Sequence, residues 1–184
     1  MRRLLLLACL ITSVLMGIGG CNARRNTAII RDACSLLTKE EVGSVQGSPV
    51  NDTKSSERSD DLFRFAECFY TTAESNKSVN LALVQQRTDQ QNKSGPKDFW
   101  NKKFDPYRNE EPKTKNGDEK EQGSGPKKIT NLGDDAYWAV NPVGGTLYVL
   151  KGDAFISIGL GGTDDEQTNL KKSKELAQKA LQRL

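Results

Sequence analysis

Apolar residues fall along this chain in three regimes. They run together from Leu4 to Ile18, alternate with polar residues over much of the remaining chain, and nearly vanish between Asp105 and Lys128. Alternation is plainest towards the C-terminus. Ala136–Val140, Thr146–Leu150 and Ala154–Leu160 predict a three-stranded meander, turned first at Asn141–Gly145 and again at Gly152–Asp153. Ile156, Ile158 and Leu160 then share one face of the sheet. Two further strands are predicted upstream, with Ala73–Ser78 as the turn between them. In the first, Phe63, Phe65 and Phe69 alternate with Arg64, Ala66, Cys68 and Tyr70, although Glu67 interrupts the pattern. In the second, Val79, Leu81 and Leu83 alternate with Asn80 and Ala82.

The period turns helical in three places. Cys34–Val42 opens a short helix, because Thr38 and Glu41 have the spacing of a capping box, and Gly47–Pro49 stop it. Ser94-Gly95-Pro96 begins a second short helix carrying Phe99, Trp100 and Phe104, with proline at the first helical position. From about Asp164 to Leu184, the residues Leu170, Leu176, Ala177, Ala180, Leu181 and Leu184 form the apolar stripe of a long C-terminal helix. Thr163 and Glu166 mark its start as a second capping box. Asn51–Asp61 is polar and charged and reads as a loop. Residues 105–128 hold too little apolar surface to offset their ordering entropy and read as a mobile charged loop. The order of elements predicts one α+β domain over 34–184. Its antiparallel sheet has about five strands, with helices packed on one face.

The first regime is of another kind. Arg2 and Arg3, the apolar run, and then Gly19 and Gly20 have the form of a secretory signal. The run is shorter than the roughly 20 apolar residues a membrane span needs. Ile18-Gly19-Gly20-Cys21 resembles the lipobox of bacterial lipoproteins. That resemblance implies a signal peptide at 1–20, acylation of Cys21 as the new N-terminus, and a lipidated tether over 21–33. It places the chain outside the cytoplasm, anchored by lipid to a bacterial membrane. Asn22 stands where an aspartate would resemble an inner-membrane retention signal, which points to the outer membrane if the cell has one. An ordinary secreted protein cut near Gly20 is the competing reading.

Composition narrows the chemistry. Arg2 and Arg3 leave with the signal, so the formal side-chain charge falls from +3 to +1, and no aromatic stripe interleaves with lysines. Nucleic acid is therefore not an expected partner. The chain has no histidine, which removes Ser-His-Asp and Cys-His nucleophiles and histidine-based zinc sites. Of four cysteines, Cys9 leaves with the signal and Cys21 is the lipidation site, leaving Cys34 and Cys68. In an oxidising compartment a disulfide is the default for such a pair. A redox or metal-binding pair competes with it, without a CxxC spacing in its favour. Neither a metal nor a cofactor is expected.

Several local patterns invite a functional reading. Gly159-Leu-Gly161-Gly162-Thr163 lies between strand and helix, where glycine loops cradle phosphate. Asp164, Asp165 and Glu166 come immediately after it, and they repel an anion while complementing the helix dipole. Asp134 and Asp135 offer paired carboxylates for acid–base work or, more simply, a turn into the strand at Ala136. Tyr137 and Trp138, with Tyr70, Trp100 and Tyr107, line a pocket or fill the core, and Trp138 is the leading ligand-facing candidate. Lysines on the C-terminal helix face either anionic lipid or solvent. Ser94 and Lys97 match Ser-x-x-Lys in letters only, since Gly95 and Pro96 make that stretch a helix start.

Cys34-Ser-Leu-Leu-Thr-Lys-Glu-Glu-Val, Cys68-Phe-Tyr and Leu132-Gly-Asp-Asp-Ala-Tyr-Trp together resemble a group of small bacterial envelope lipoproteins. These are built on a Cys-x-Leu-Leu-Thr…Cys-x-Tyr…Gly-Asp-x-Ala plan. The resemblance implies a Cys34–Cys68 bridge and an α+β fold, and it brings no catalytic residue. The expected function is a lipid-anchored extracytoplasmic envelope protein, a non-enzymatic module binding a small ligand, a wall component or another envelope protein. The alternative is a hydrolase acting on envelope material through carboxylates such as Asp134 or Asp135, which requires a concave site holding both. A scaffold would instead show a large exposed apolar patch.

Overall fold

The structure is a computed structural model and describes residues 30–90, 94–108, 125–141 and 144–184. The expected signal peptide, Cys21 and the expected tether up to residue 29 lie outside the described residues, as do 109–124 of the charged loop expected over 105–128, whose described ends form the 3-10 turn Asp105–Tyr107 and a strand at Lys127–Lys128. Seven strands form one sheet: Val50–Ser59 (β1), Phe63–Thr72 (β2), Val79–Gln86 (β3), Lys127–Lys128 (β4), Asp135–Asn141 (β5), Gly144–Lys151 (β6) and Ala154–Leu160 (β7). They are ordered β1-β2-β3-β7-β6-β5-β4, and every neighbouring pair is antiparallel. Helices Lys39–Gln46 (α1), Pro96–Phe104 (α2) and Glu166–Leu181 (α3) complete an α+β domain.

The sheet has more strands than the expected five. β1 covers most of the stretch read as a loop. It is an edge strand of almost wholly polar residues, exposed from Lys54 onward, and it is held by its backbone ladder to β2. With neither side buried, it carries no hydrophobic alternation to read. β4 is two lysines paired with Trp138 and Tyr137, too short to leave a pattern.

The helices also divide between two faces, which corrects the one-face expectation. Ala66, Cys68, Tyr70, Leu81, Leu83, Leu147, Val149, Ile156 and Ile158 point to one face. There they meet Val42 of α1 and Leu176, Ala177 and Ala180 of α3. Side chains one residue out of phase make a second cluster, in which Phe63, Val84, Tyr137, Leu150 and Phe155 pack with Trp100 and Phe104 of α2. Alternation of apolar with apolar residues, as in β2 and β7, is the mark of a sheet covered on both sides.

Local signals set the helix ends. Thr38 and Glu41 form the expected capping box, with the Thr38 hydroxyl accepting from the Glu41 N–H and the Glu41 carboxylate accepting from the Thr38 N–H. Gly47 closes α1 at φ 66°, a left-handed conformation that glycine adopts without strain. Pro96 sits in the first turn of α2, as expected. α3 starts from Asp165 rather than Thr163, because the Asp165 carboxylate accepts from the N–H of Thr168. A disulfide joins Cys34, in the 3-10 turn Ala33–Ser35, to Cys68 in the middle of β2. The buried Tyr70 hydroxyl donates to the Leu37 carbonyl at 3.0 Å beside it.

Candidate functional site

Tyr137 and Trp138 are both buried, and their side chains go to opposite faces of β5. Trp138 lies beneath α3 and donates from Nε1 to the Glu166 carboxylate at 3.2 Å. Tyr137 stacks flat on Phe104, with ring centroids 4.5 Å apart. Tyr70 belongs with Trp138 in the first layer, whereas Trp100 and Tyr107 belong with Tyr137 in the second. Among the described residues, the aromatics grouped by the sequence reading therefore fall in two separate layers on opposite faces of the sheet.

Asp134 and Asp135 also part company. Asp134 accepts from the Gly152 N–H at 2.7 Å and from the Lys151 ammonium at 3.5 Å, clamping the entrance of β5 to the β6–β7 turn. The Gly152 N–H, helped by the Lys151 charge, holds its carboxyl below the usual aspartate range. Asp135 accepts from Trp100 Nε1 at 3.1 Å and pairs with Lys128 at 3.3 Å, which fixes α2 over the second face. Each carboxylate already has its own partners, and no concave site among the described residues holds the two together. Nor does any group of three or more acidic or cysteine side chains there suit a metal ion.

The glycine run after β7 serves packing. A side chain at Gly161 would meet the Asn76 carbonyl at 2.4 Å, and the Gly161 N–H donates to the Ser78 carbonyl at 2.8 Å. The loop is thereby pinned to the β2–β3 turn, and Asp165 occupies the helix end where a phosphate would bind. Among the lysines of α3, Lys172 is paired with Asp164 at 2.6 Å.

What the fold does bring together is a shallow trough on the second face. α2 covers only the end of that face where β2 begins and β3 ends. Further along, Phe69 of β2, Asn80 of β3, Gly159 of β7 and Thr146 of β6 stand in one row across four paired strands. With Ser75, Asn76 and Ser78 from the β2–β3 turn they line a hollow of about 330 Å³. Phe69 is 44% exposed there, although Phe63 on the same strand is buried under α2. Lys54, opposite Phe69 on β1, and Glu67, two residues before it on the same face, flank the trough without lining it.

The trough is not the largest depression. One of about 490 Å³ lies where the described chain begins, between Ile30, Arg64 and Arg87. Its cations are already matched, Arg64 by Glu57 and Arg87 by Asp89. Another, of about 430 Å³, is bounded only by outward side chains of α3. The trough differs in drawing its lining from four strands of a rigid sheet and in leaving an aromatic ring exposed.

The sequence reading considered Gly159 and Gly161 only as part of a glycine run after the strand and did not single out the other residues of the trough. Their available signal is Phe69, an aromatic residue in phase with buried phenylalanines but opposite Asn80, and Gly159, an isolated glycine inside a strand. Compared with protein-family models, with curated proteins and with solved structures, the chain shows no match.

Proposed function

We propose that this chain is a lipid-anchored extracytoplasmic envelope protein whose folded domain is a non-enzymatic binding module. The Cys34–Cys68 disulfide carries the reading, because such bonds persist in oxidising compartments and an exported chain acquires them there. The secretory pattern before Cys21 and the lipobox-like Ile18-Gly-Gly-Cys21 point the same way. Several acyl chains at one residue give the stable membrane hold that a single chain does not. Cys21 lies nine positions before Ile30, room for a tether of up to about 30 Å between lipid and domain. The binding surface is the trough, since its lining comes from four strands of one sheet and leaves the Phe69 ring exposed.

The decisive experiment is metabolic labelling with palmitate. The wild-type chain is expected to take up label and partition with membranes, and Cys21→Ser is expected to do neither. Equal labelling of the two proteins, or none in the wild type, sinks the anchor.

A further inference from the structure

We infer that the trough bearing Phe69, Asn76, Asn80, Thr146 and Gly159 binds an uncharged saccharide. The inference rests on the binding-module reading and names the class of ligand.

Charge is the first argument. Charged residues make up 28% of the chain, yet among the described residues the trough's lining, from Phe69 to Gly161, is uncharged, with Lys54 and Glu67 only flanking it. An ionic ligand would give up its hydration there without gaining a counter-charge. A wholly apolar ligand would find one exposed ring and little else, since Leu160 is only 6% exposed. A sugar ring presents what the trough complements: a C–H face that lies on a phenyl ring, and hydroxyl groups around its rim. Each carboxamide of Asn76 and Asn80 has an acceptor oxygen and a donor nitrogen, the pair needed to bridge two adjacent hydroxyls. Ser75 lines the trough beside them, and Ser78, whose hydroxyl donates to the Ser75 carbonyl, closes its rim.

Shape is the second. Gly159 sits mid-sheet between Asn80 and Thr146, where glycine weakens a strand. Packing does not demand it. A side chain there would find its nearest neighbour, Thr146 Oγ1, at an ordinary 3.9 Å. At Gly145 and Gly161, by contrast, a side chain would collide with the fold. What glycine at 159 does is keep the floor of the trough open across Asn80 from the Phe69 platform.

Position is the third. The N-terminal segment is fastened where β2 begins and β3 ends, by Arg64 to the Arg31 carbonyl and by the Arg31 N–H to Gln85. Phe69 lies five residues further along β2 than Arg64, about 17 Å at the rise of a strand. The described chain begins at that first end, so the trough lies at the end of the sheet away from where the chain enters the domain.

The test uses the full-length lipidated chain, purified in a detergent without a sugar headgroup. It is presented to a panel of neutral oligosaccharides: glucans, galactans, arabinans and N-acetylglucosamine oligomers. At least one is expected to bind, with an affinity unchanged from low to near-molar salt. Phe69→Ala should weaken binding about tenfold. Gly159→Val should abolish it with the unfolding midpoint unchanged or raised, since valine suits a strand and its Cβ has room. No binding across the panel, binding that weakens with salt, or wild-type affinity in both variants overturns the inference. Cys21→Ser is expected to bind as the wild type does, so failure of the lipid anchor and failure of the saccharide site register separately.

Discussion

Gly145 has no side chain because the indole of Trp138 fills the place where one would be. A Cβ added at position 145 would lie 1.9 Å from the ring. The ring has little freedom to yield, since its Nε1 is held by Glu166 at the first turn of α3 and it is buried on all sides. Gly145→Ala is therefore expected to destabilise the domain by about 1–3 kcal/mol, the usual cost of overpacking a close-packed core. A urea titration monitored by tryptophan fluorescence reads the loss, and an unchanged midpoint would refute the account. The same residues show what the sequence can say at this scale. Adjacent aromatics in a strand must point to opposite faces, so the separation of Tyr137 from Trp138 was legible. Which of them met solvent was not, because that depends on which helix covers which face. Both are covered, and the aromatic ring left open on the sheet's second face is that of Phe69, beyond the reach of α2.

At the scale of elements, legibility tracked burial. The three helices, the strands β2 and β3 and the C-terminal meander bury apolar side chains, so each leaves a period in the sequence. β1 does not, and polar residues in a strand exposed on both sides look like polar residues in a loop. α2 is legible as a helix from Ser94-Gly95-Pro96, and the structure adds the Asp98 carboxylate, which accepts from the Gly95 N–H at 3.0 Å. Its docking on the face opposite α1 and α3 is not, since Trp100 and Phe104 reveal an apolar stripe without revealing its partner. The disulfide acts on this scale too. It fastens the segment preceding α1 to the centre of β2, across a sequence separation of 34. Replacing Cys34 and Cys68 together by alanine should cost about 3–4 kcal/mol, from the freedom restored to the unfolded loop. Hydrogen exchange is expected to rise first over residues 31–37, which lie outside the sheet's ladder of strands, while the β6–β7 ladder stays protected. Uniform acceleration across both regions would mean that the bridge supports the whole sheet instead.

For the molecule as a whole, an ion pair ties the C-terminal end of the described chain to its N-terminal part. Arg183, beyond the end of α3, gives two hydrogen bonds of 2.9 Å to the Glu41 carboxylate of α1 and a third to the Leu36 carbonyl. α1 and α3 are thus locked over one face, closing the layer that covers the core around Trp138 and Ile156. The Arg183 hydrogen bonds, with the Thr38 N–H, hold the Glu41 carboxyl below its ordinary value of 4.5 despite partial burial. That depression sets the sign of the pH dependence. An unfolded chain binds a proton at Glu41 at higher pH than the folded one does. The stabilisation is therefore complete above about pH 4.5 and is lost as pH falls through the lower, folded value. Asp134 and Asp165 are depressed in the same direction by backbone N–H groups, so acid sensitivity is shared rather than owned by one pair. Glu41→Gln should lower the urea midpoint at neutral pH, make its decline towards about pH 3 shallower, and bring the two proteins together at the acid end. Parallel curves, displaced by a constant amount throughout, would show that Glu41 contributes through its shape and not through its charge.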